Sequence, residues 1–205
     1  RDCLLSRGLG DVYKRQDLSA ACTGFLYAMS VADAYIKAGM YKKVLVIGAE
    51  VMSQVVDWKD RSVCVLFGDG AGAVVLGEDS SGKSIFRLHS DSGSAQALTL
   101  GKENAVHMNG REIFSFAVRK VPESVKEVLE ESETAKEQVK YFILHQANAR
   151  MIESIAKRLD VPVEKFPMNL ETHGNTSAAS IPVLLDELNR QNRLCLLYTS
   201  DAADE

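Results

Sequence analysis

Phe25, Met29, Ala32 and Ile36 recur at helical spacing and Gly39 closes the run, which predicts an amphipathic helix with Cys22 in its first turn. KVLVIGAE follows directly and reads as a buried strand. SVCVLFG and AGAVVLG are two further apolar runs on either side of the tight-turn signal GDG, so a hairpin is expected there. Residues 84–90 alternate weakly as a strand, residues 101–110 are loop-like, and residues 113–131 are helical with Pro122 as a point of interruption. KYFILH predicts a strand ending at His145. Residues 149–159 carry Met151, Ile152, Ile155 and Leu159 on one helical stripe, with Arg150, Lys157 and Arg158 mostly off it. KFPMN is a short extended segment leading to the HGNTSAAS turn, and a last helix spans 176–190 with Ile181, Leu184, Leu185 and Leu188 as its apolar face. This alternation predicts an α/β fold, in which chemistry gathers at strand ends and helix starts.

The two ends fall outside the pattern. Residues 1–16, RDCLLSRGLGDVYKRQ, have neither period, and residues 195–205, CLLYTSDAADE, follow the last helix as abruptly. Both read as non-native tails resembling translated sequencing-adapter sequence, so the informative chain is 17–194 and Cys3 and Cys195 carry no functional weight. At 205 residues, 46% hydrophobic and 25% charged, the composition is that of a globular protein. A net charge of −4 argues against a nucleic-acid binder, and the apolar runs are too short to span a membrane. A cytoplasmic protein with reduced thiols is expected; its four cysteines, at 3, 22, 64 and 195, show no metal-ligand spacing.

Three side chains carry the candidate chemistry. A thiolate at Cys22 would face unpaired helix amides and the positive end of the helix dipole, which favours a nucleophile, and the small residues around it let a carbonyl approach the backbone. A buried, inert thiol is the alternative, and Cys64 within VCVLF receives that reading. His145 ends an apolar strand, where it is either structural or faces an active crevice, and Asn148 is placed to cap the next helix and still reach a ligand. Asn175 is either a turn residue or a carboxamide pointed inward by the small residues beside it. FGDGAGAVVLG lacks the spacing and lysine of a phosphate loop and reads as close backbone packing. Arg150, Lys157 and Arg158 form either a solvated face or a patch for an acidic partner. His89, His107 and His173 are assigned no role.

DLSAACTGF, FGDGAGAVVLG, HQANAR and HGNTSAAS, in this order, closely resemble beta-ketoacyl-acyl-carrier-protein synthase III, an acyltransferase that initiates type II fatty acid synthesis. The resemblance implies a thiolase-like layered αβαβα fold, here incomplete, with residues 17–90 in the N-terminal half and 91–194 in the C-terminal half. It implies Cys22, His145 and Asn175 as the catalytic set: Cys22 takes the acyl group of a short acyl-CoA, and His145 and Asn175 stabilise the enolate formed when malonyl-carrier protein loses CO2. No metal or other cofactor is implied. Arg61 resembles a residue packing on the CoA adenine, Gly110 and Asn148 resemble pantetheine contacts, and Met52 and Phe67 resemble acyl-pocket walls. Arg150, Lys157 and Arg158 match a helix that docks the acidic acyl-carrier protein, although Ser115 beside Phe114 stands where some members carry lysine. A homodimer is implied, with no nucleic acid or membrane partner. Relative to the family, the early strands of the first half and the glycine-rich C-terminal strands, which supply a second oxyanion amide, are missing.

Rival readings share parts of this pattern. A type III polyketide synthase-like enzyme also uses Cys, His and Asn, a papain-like protease has the same order with a different cysteine motif, and a biosynthetic thiolase needs a late second cysteine. An inactive module that only binds CoA or carrier protein is the non-enzymatic alternative.

Overall fold

The computed structural model describes residues 16–79, 84–101 and 105–194. The two tails lie outside the described residues, Gln16 excepted, and with them Cys3 and Cys195.

Helix α1 (Gly24–Lys37) buries Phe25 and Ala32, and Gly39, at φ +71°, turns the chain out of it. Strand β1 (Lys43–Glu50) follows, and β2 (Gly70–Gly77) pairs with it antiparallel, with Val46 opposite Val74 and Gly48 opposite Gly72. Period-2 alternation turns Val44, Val46, Val74 and Leu76 towards α1 and α5 (Ser180–Arg190), where they meet Phe25, Ala32, Ala178, Ile181 and Leu185 in one core. Leu45, Ile47 and Val75 lie exposed on the opposite face of β1–β2.

A second core joins α2 (Gly110–Glu131) to α3 (Ala149–Leu159). Met151, Ile152, Ile155, Ala156 and Leu159 pack there with Phe142 and Phe166, whose rings stack 5.0 Å apart, and with the inner face of α2. Residues 141–146 run extended between the two cores: Phe142 and Leu144 enter the second and Ile143 the first. This alternation sets His145 on the α5 side.

Several expectations are corrected. SVCVLFG is no strand, and the GDG hairpin does not form. Asp60 accepts hydrogen bonds from the Ser62 N–H and hydroxyl at 2.9 and 2.6 Å, and its carbonyl accepts from Cys64 N–H, coiling the run into turns. Cys64 is accordingly half-buried in a turn. Among residues 84–90 no strand appears; the segment lies along α1, held by Ser84 to Asp33 and by Tyr27 to the His89 carbonyl. The loop expected at 101–110 instead returns as β4 (Val106–Met108), paired with β3 (Leu98–Leu100). KYFILH is extended but joins no ladder among the described residues; Phe142 N–H is taken by the Lys165 carbonyl instead. KFPMN is separated from the HGNTSAAS turn by the single-turn helix α4 (Leu170–His173).

Pro122 does not interrupt α2, which starts on an Asn109 cap whose side chain accepts from Glu112 N–H. A proline there has no N–H to give the carbonyl four residues back, at Val118. The Arg158 guanidinium donates to that carbonyl at 3.3 Å. α3 thereby repairs the defect in α2.

The glycines of FGDGAGAVVLG serve close packing, as expected. A Cβ at Gly72 would lie 2.7 Å from the Val183 nitrogen, and one at Gly68 2.1 Å from the His173 carbonyl oxygen. Gly72→Ala is expected to push α5 off β2 and lower stability by about 2–4 kcal/mol, read as a fall in urea midpoint at constant slope.

Candidate active site

Cys22 sits in a 3-10 turn (Ala21–Thr23) immediately ahead of α1, not within its first α-turn. The cause is Ala21, held at φ +46°, a left-handed conformation that non-glycine residues adopt only under constraint. The Ala20 carbonyl accepts both the N–H and the hydroxyl of Thr23 and fixes the bend. Across from it lies a second turn (Ser177–Ala179) whose Ser177 is also left-handed, at φ +51°. The two strained turns pack on each other. The half-buried thiol between them is pushed up by burial and by the negative charge of Glu50, against hydrogen bonds from Ser177 and its own backbone. This corrects the expectation that the helix start favours the thiolate: removal from water outweighs the few amides present. Ser177 links the groups, since the same hydroxyl lies 3.3 Å from Glu50 Oε1, to which its one hydrogen goes at rest.

Asn175 is buried and clamped at its backbone. Its N–H donates to the Leu66 carbonyl at 2.8 Å and its carbonyl accepts from Gly68 N–H at 3.0 Å, a parallel bridge opposite Phe67. The side-chain Oδ1 accepts from Ser177 N–H at 2.9 Å, which is the turn role expected of it. Gly174, at φ +65°, allows the close approach to Leu66 that this clamp requires.

His145 Nδ1 lies 2.7 Å from the Ser180 hydroxyl at the start of α5. Ser177 and Ser180 thus tie Cys22, Asn175 and His145 to one short segment, residues 175–180. Burial pushes the His145 pKa down to about 4, so the imidazole is neutral near pH 7. An unfolded histidine titrates near 6.5, so between these values only the unfolded chain takes up this proton. The folded state therefore loses stability as pH falls from 6.5 towards 4. His145→Gln is expected to remove about 2 kcal/mol of the loss measured by urea unfolding between about pH 7 and about pH 4.5.

The other candidate positions lie in several separate elements. Met52 is buried in a turn after β1, and Phe67 sits beside Asn175. Asn148 caps α3, accepting from Met151 N–H. Arg61 and Gly110 are exposed, the latter at the start of α2. Arg150 and Lys157 are exposed on α3, whereas Arg158 is committed to Val118. Ser115 bonds back to the Arg111 carbonyl. His173 bridges to Glu187 and His89 to Glu127. Sequence reasoning missed Glu50, Gln146, Ser177 and Ser180. Gln146, fully buried, links the Leu144 carbonyl to Asn169 N–H; its position next to His145 was the available signal. A cavity of about 770 Å³ opens between residues 16–21, α1 and β1 and reaches Glu50 and Ala178, but Cys22, His145 and Asn175 do not line it. No helix among the described residues is long and apolar enough to cross a membrane.

Residues 16–108 match the family model of 3-oxoacyl-acyl-carrier-protein (ACP) synthase III, and residues 129–195 match that of its C-terminal part. A beta-ketoacyl-acyl-carrier-protein synthase III of Streptococcus mutans is 47% identical over 186 residues, covering 83% of this chain and 57% of its own. One of Aquifex aeolicus is 47% identical over 180 residues, covering 87% and 58%. The crystal structure of the 3-oxoacyl-acyl-carrier-protein synthase III from Aquifex aeolicus superposes with a TM-score of 0.84 at 46% identity, over 87% of this chain and 59% of that one. The chain thus spans just under three fifths of the length of these relatives, and its α/β fold is the thiolase-like one expected, incomplete.

Proposed function

The chain belongs to the beta-ketoacyl-acyl-carrier-protein synthase III family, and from that membership we propose that it catalyses the decarboxylative condensation of a short acyl-CoA with malonyl-acyl-carrier protein. The observation that carries the reading is the segment 175–180, which tethers a thiol, a neutral imidazole and a carboxamide in one place.

In this reading Cys22 Sγ attacks the thioester carbonyl, the carbon–sulfur bond to CoA breaks, and CoA leaves as a thiol carrying the proton that Cys22 gave up. Because the thiol is held neutral at rest, the proton departs as the bond forms, and Ser177 is placed to turn its hydroxyl towards the developing thiolate. Malonyl-carrier protein then loses CO2, and the electron pair passes onto its thioester oxygen. His145 Nε2–H and Asn175 Nδ2–H are the donors for that oxygen. The enolate carbon attacks the acyl group, the bond to Cys22 breaks, and one proton taken up restores the thiol. A neutral His145 suits this role, since it offers a hydrogen bond without protonating the enolate outright. The chemistry calls for no metal or redox cofactor.

Met52 and Phe67 are proposed to wall the acyl chain, Arg61, Gly110 and Asn148 to contact CoA, and Arg150 and Lys157 to meet the acidic carrier protein, with Arg158 contributing its charge from its place against α2. Residues 17–90 and 91–194 are proposed as parts of the N-terminal and C-terminal halves of the thiolase-like fold, in a cytoplasmic protein that acts as a homodimer.

The test is a two-step incubation, first with acetyl-CoA and then with malonyl-carrier protein, with the carrier protein weighed by mass spectrometry. A 3-ketobutyryl-carrier protein product is expected. Condensation with malonyl-CoA in place of the carrier protein would favour the polyketide-type reading, and cleavage of a peptide substrate would favour the protease.

A further inference from the structure

Ser180 is 2% exposed, and its hydroxyl has two neighbours. One is the Gln146 backbone N–H at 3.3 Å, which can only donate. The other is His145 Nδ1 at 2.7 Å, which donates or accepts according to which ring nitrogen holds the proton. A hydroxyl has one hydrogen to give. With Gln146 donating to Oγ, and no other acceptor beside it among the described residues, that hydrogen has one destination, the Nδ1 lone pair. The opposite arrangement, Nδ1–H donating to Oγ, would turn two donors on one oxygen and leave a buried hydroxyl hydrogen unpaired, which buried polar groups avoid.

We infer that Ser180 is a positioning residue: its hydroxyl, fixed by Gln146 N–H, donates to His145 Nδ1 and so keeps the imidazole proton on Nε2. The assignment deepens the proposed function and rests on it for its consequence, because Nε2–H is the group offered to the enolate oxygen. The fold supplies the device through two adjacent strokes of the chain. The extended run 141–146 turns His145 towards α5 and presents the next N–H, at Gln146, to the same oxygen, and the first residue of α5 supplies the hydroxyl. Neither partner is legible alone, since a serine at a helix start ordinarily reads as local capping.

The test is the histidine tautomer itself, read near neutral pH from long-range proton–nitrogen correlations on the chain labelled with 15N-histidine, with His145 assigned by its loss in His145→Gln. In the unaltered chain His145 is expected as the Nε2–H form in about tenfold excess or more. In Ser180→Ala the excess is expected to collapse, and Ser180→Thr, which keeps the hydroxyl, is expected to restore it. An unaltered chain whose His145 carries its proton on Nδ1 overturns the inference without any variant having to fold. So does an unchanged tautomer in Ser180→Ala. Activity separates this from failure of the proposed function. If the function holds, Ser180→Ala acylates Cys22 at the normal rate and condenses about tenfold more slowly; if the function fails, the tautomer result stands by itself.

Discussion

Asn175→Asp is expected to leave acylation of Cys22 nearly unchanged while slowing condensation with malonyl-carrier protein by about 10²–10³-fold. The substitution is chosen for what it preserves. Asp keeps an oxygen where Oδ1 accepts Ser177 N–H, so the turn that carries Ser177 stays in place, and only the Nδ2–H donor is lost. The added negative charge opposes the enolate as well. His145→Leu should behave alike, because it removes the other donor without touching the thiol's own neighbours, Ser177 and Glu50. Stopped-flow release of CoA reports the first step and release of CO2 the second. Equal slowing of both would mean that Asn175 acts on the site as a whole rather than on the enolate.

Cys22→Ala is expected to abolish acyl-enzyme formation and to lower overall condensation by at least about 10³-fold, since no covalent intermediate can then split the reaction into two steps. The fold should survive the change: Cys22 is half-buried in a turn fixed by Ala20, Ala21 and Thr23, and a shorter side chain alters none of those bonds. Unfolding free energies of Cys22→Ala and the unaltered chain are therefore expected to agree within about 0.5–1 kcal/mol.

Much of the frame was legible because periodicity reports burial. The stripe Met151, Ile152, Ile155 and Leu159 is the buried face of α3, whose ends fall at the residues expected, and β1 occupies KVLVIGAE throughout. Errors arose where a local polar contact overrode an apolar run. Asp60 coils SVCVLFG into turns through Ser62, and β2 takes β1 as its partner because glycines at 48 and 72 let that pair lie against the backbone of residues 178–183. β3 and β4 are three residues each, too short for alternation to show.

The candidate site was readable in part for a different reason. Cys22, His145 and Asn175 stand in distinctive motifs, but the groups that tune them, Glu50, Ser177 and Ser180, look like ordinary residues at a strand end and in a small-residue turn. Their effect depends on which turn packs against which, and composition does not record that. The same holds for Arg158, whose tie to Val118 follows from the missing N–H of Pro122 on another helix. A charge count on α3 sees three equivalent cations where packing makes one of them a brace.

The proposed chemistry begins with acyl transfer to Cys22, beside the segment 175–180. The most direct measurement is intact-mass and peptide mapping of the folded chain after incubation with acetyl-CoA. One acetyl group is expected, carried by the peptide containing Cys22 and absent from Cys22→Ser. An acetyl group mapped to another residue, or a folded chain that stays unmodified, would contradict it.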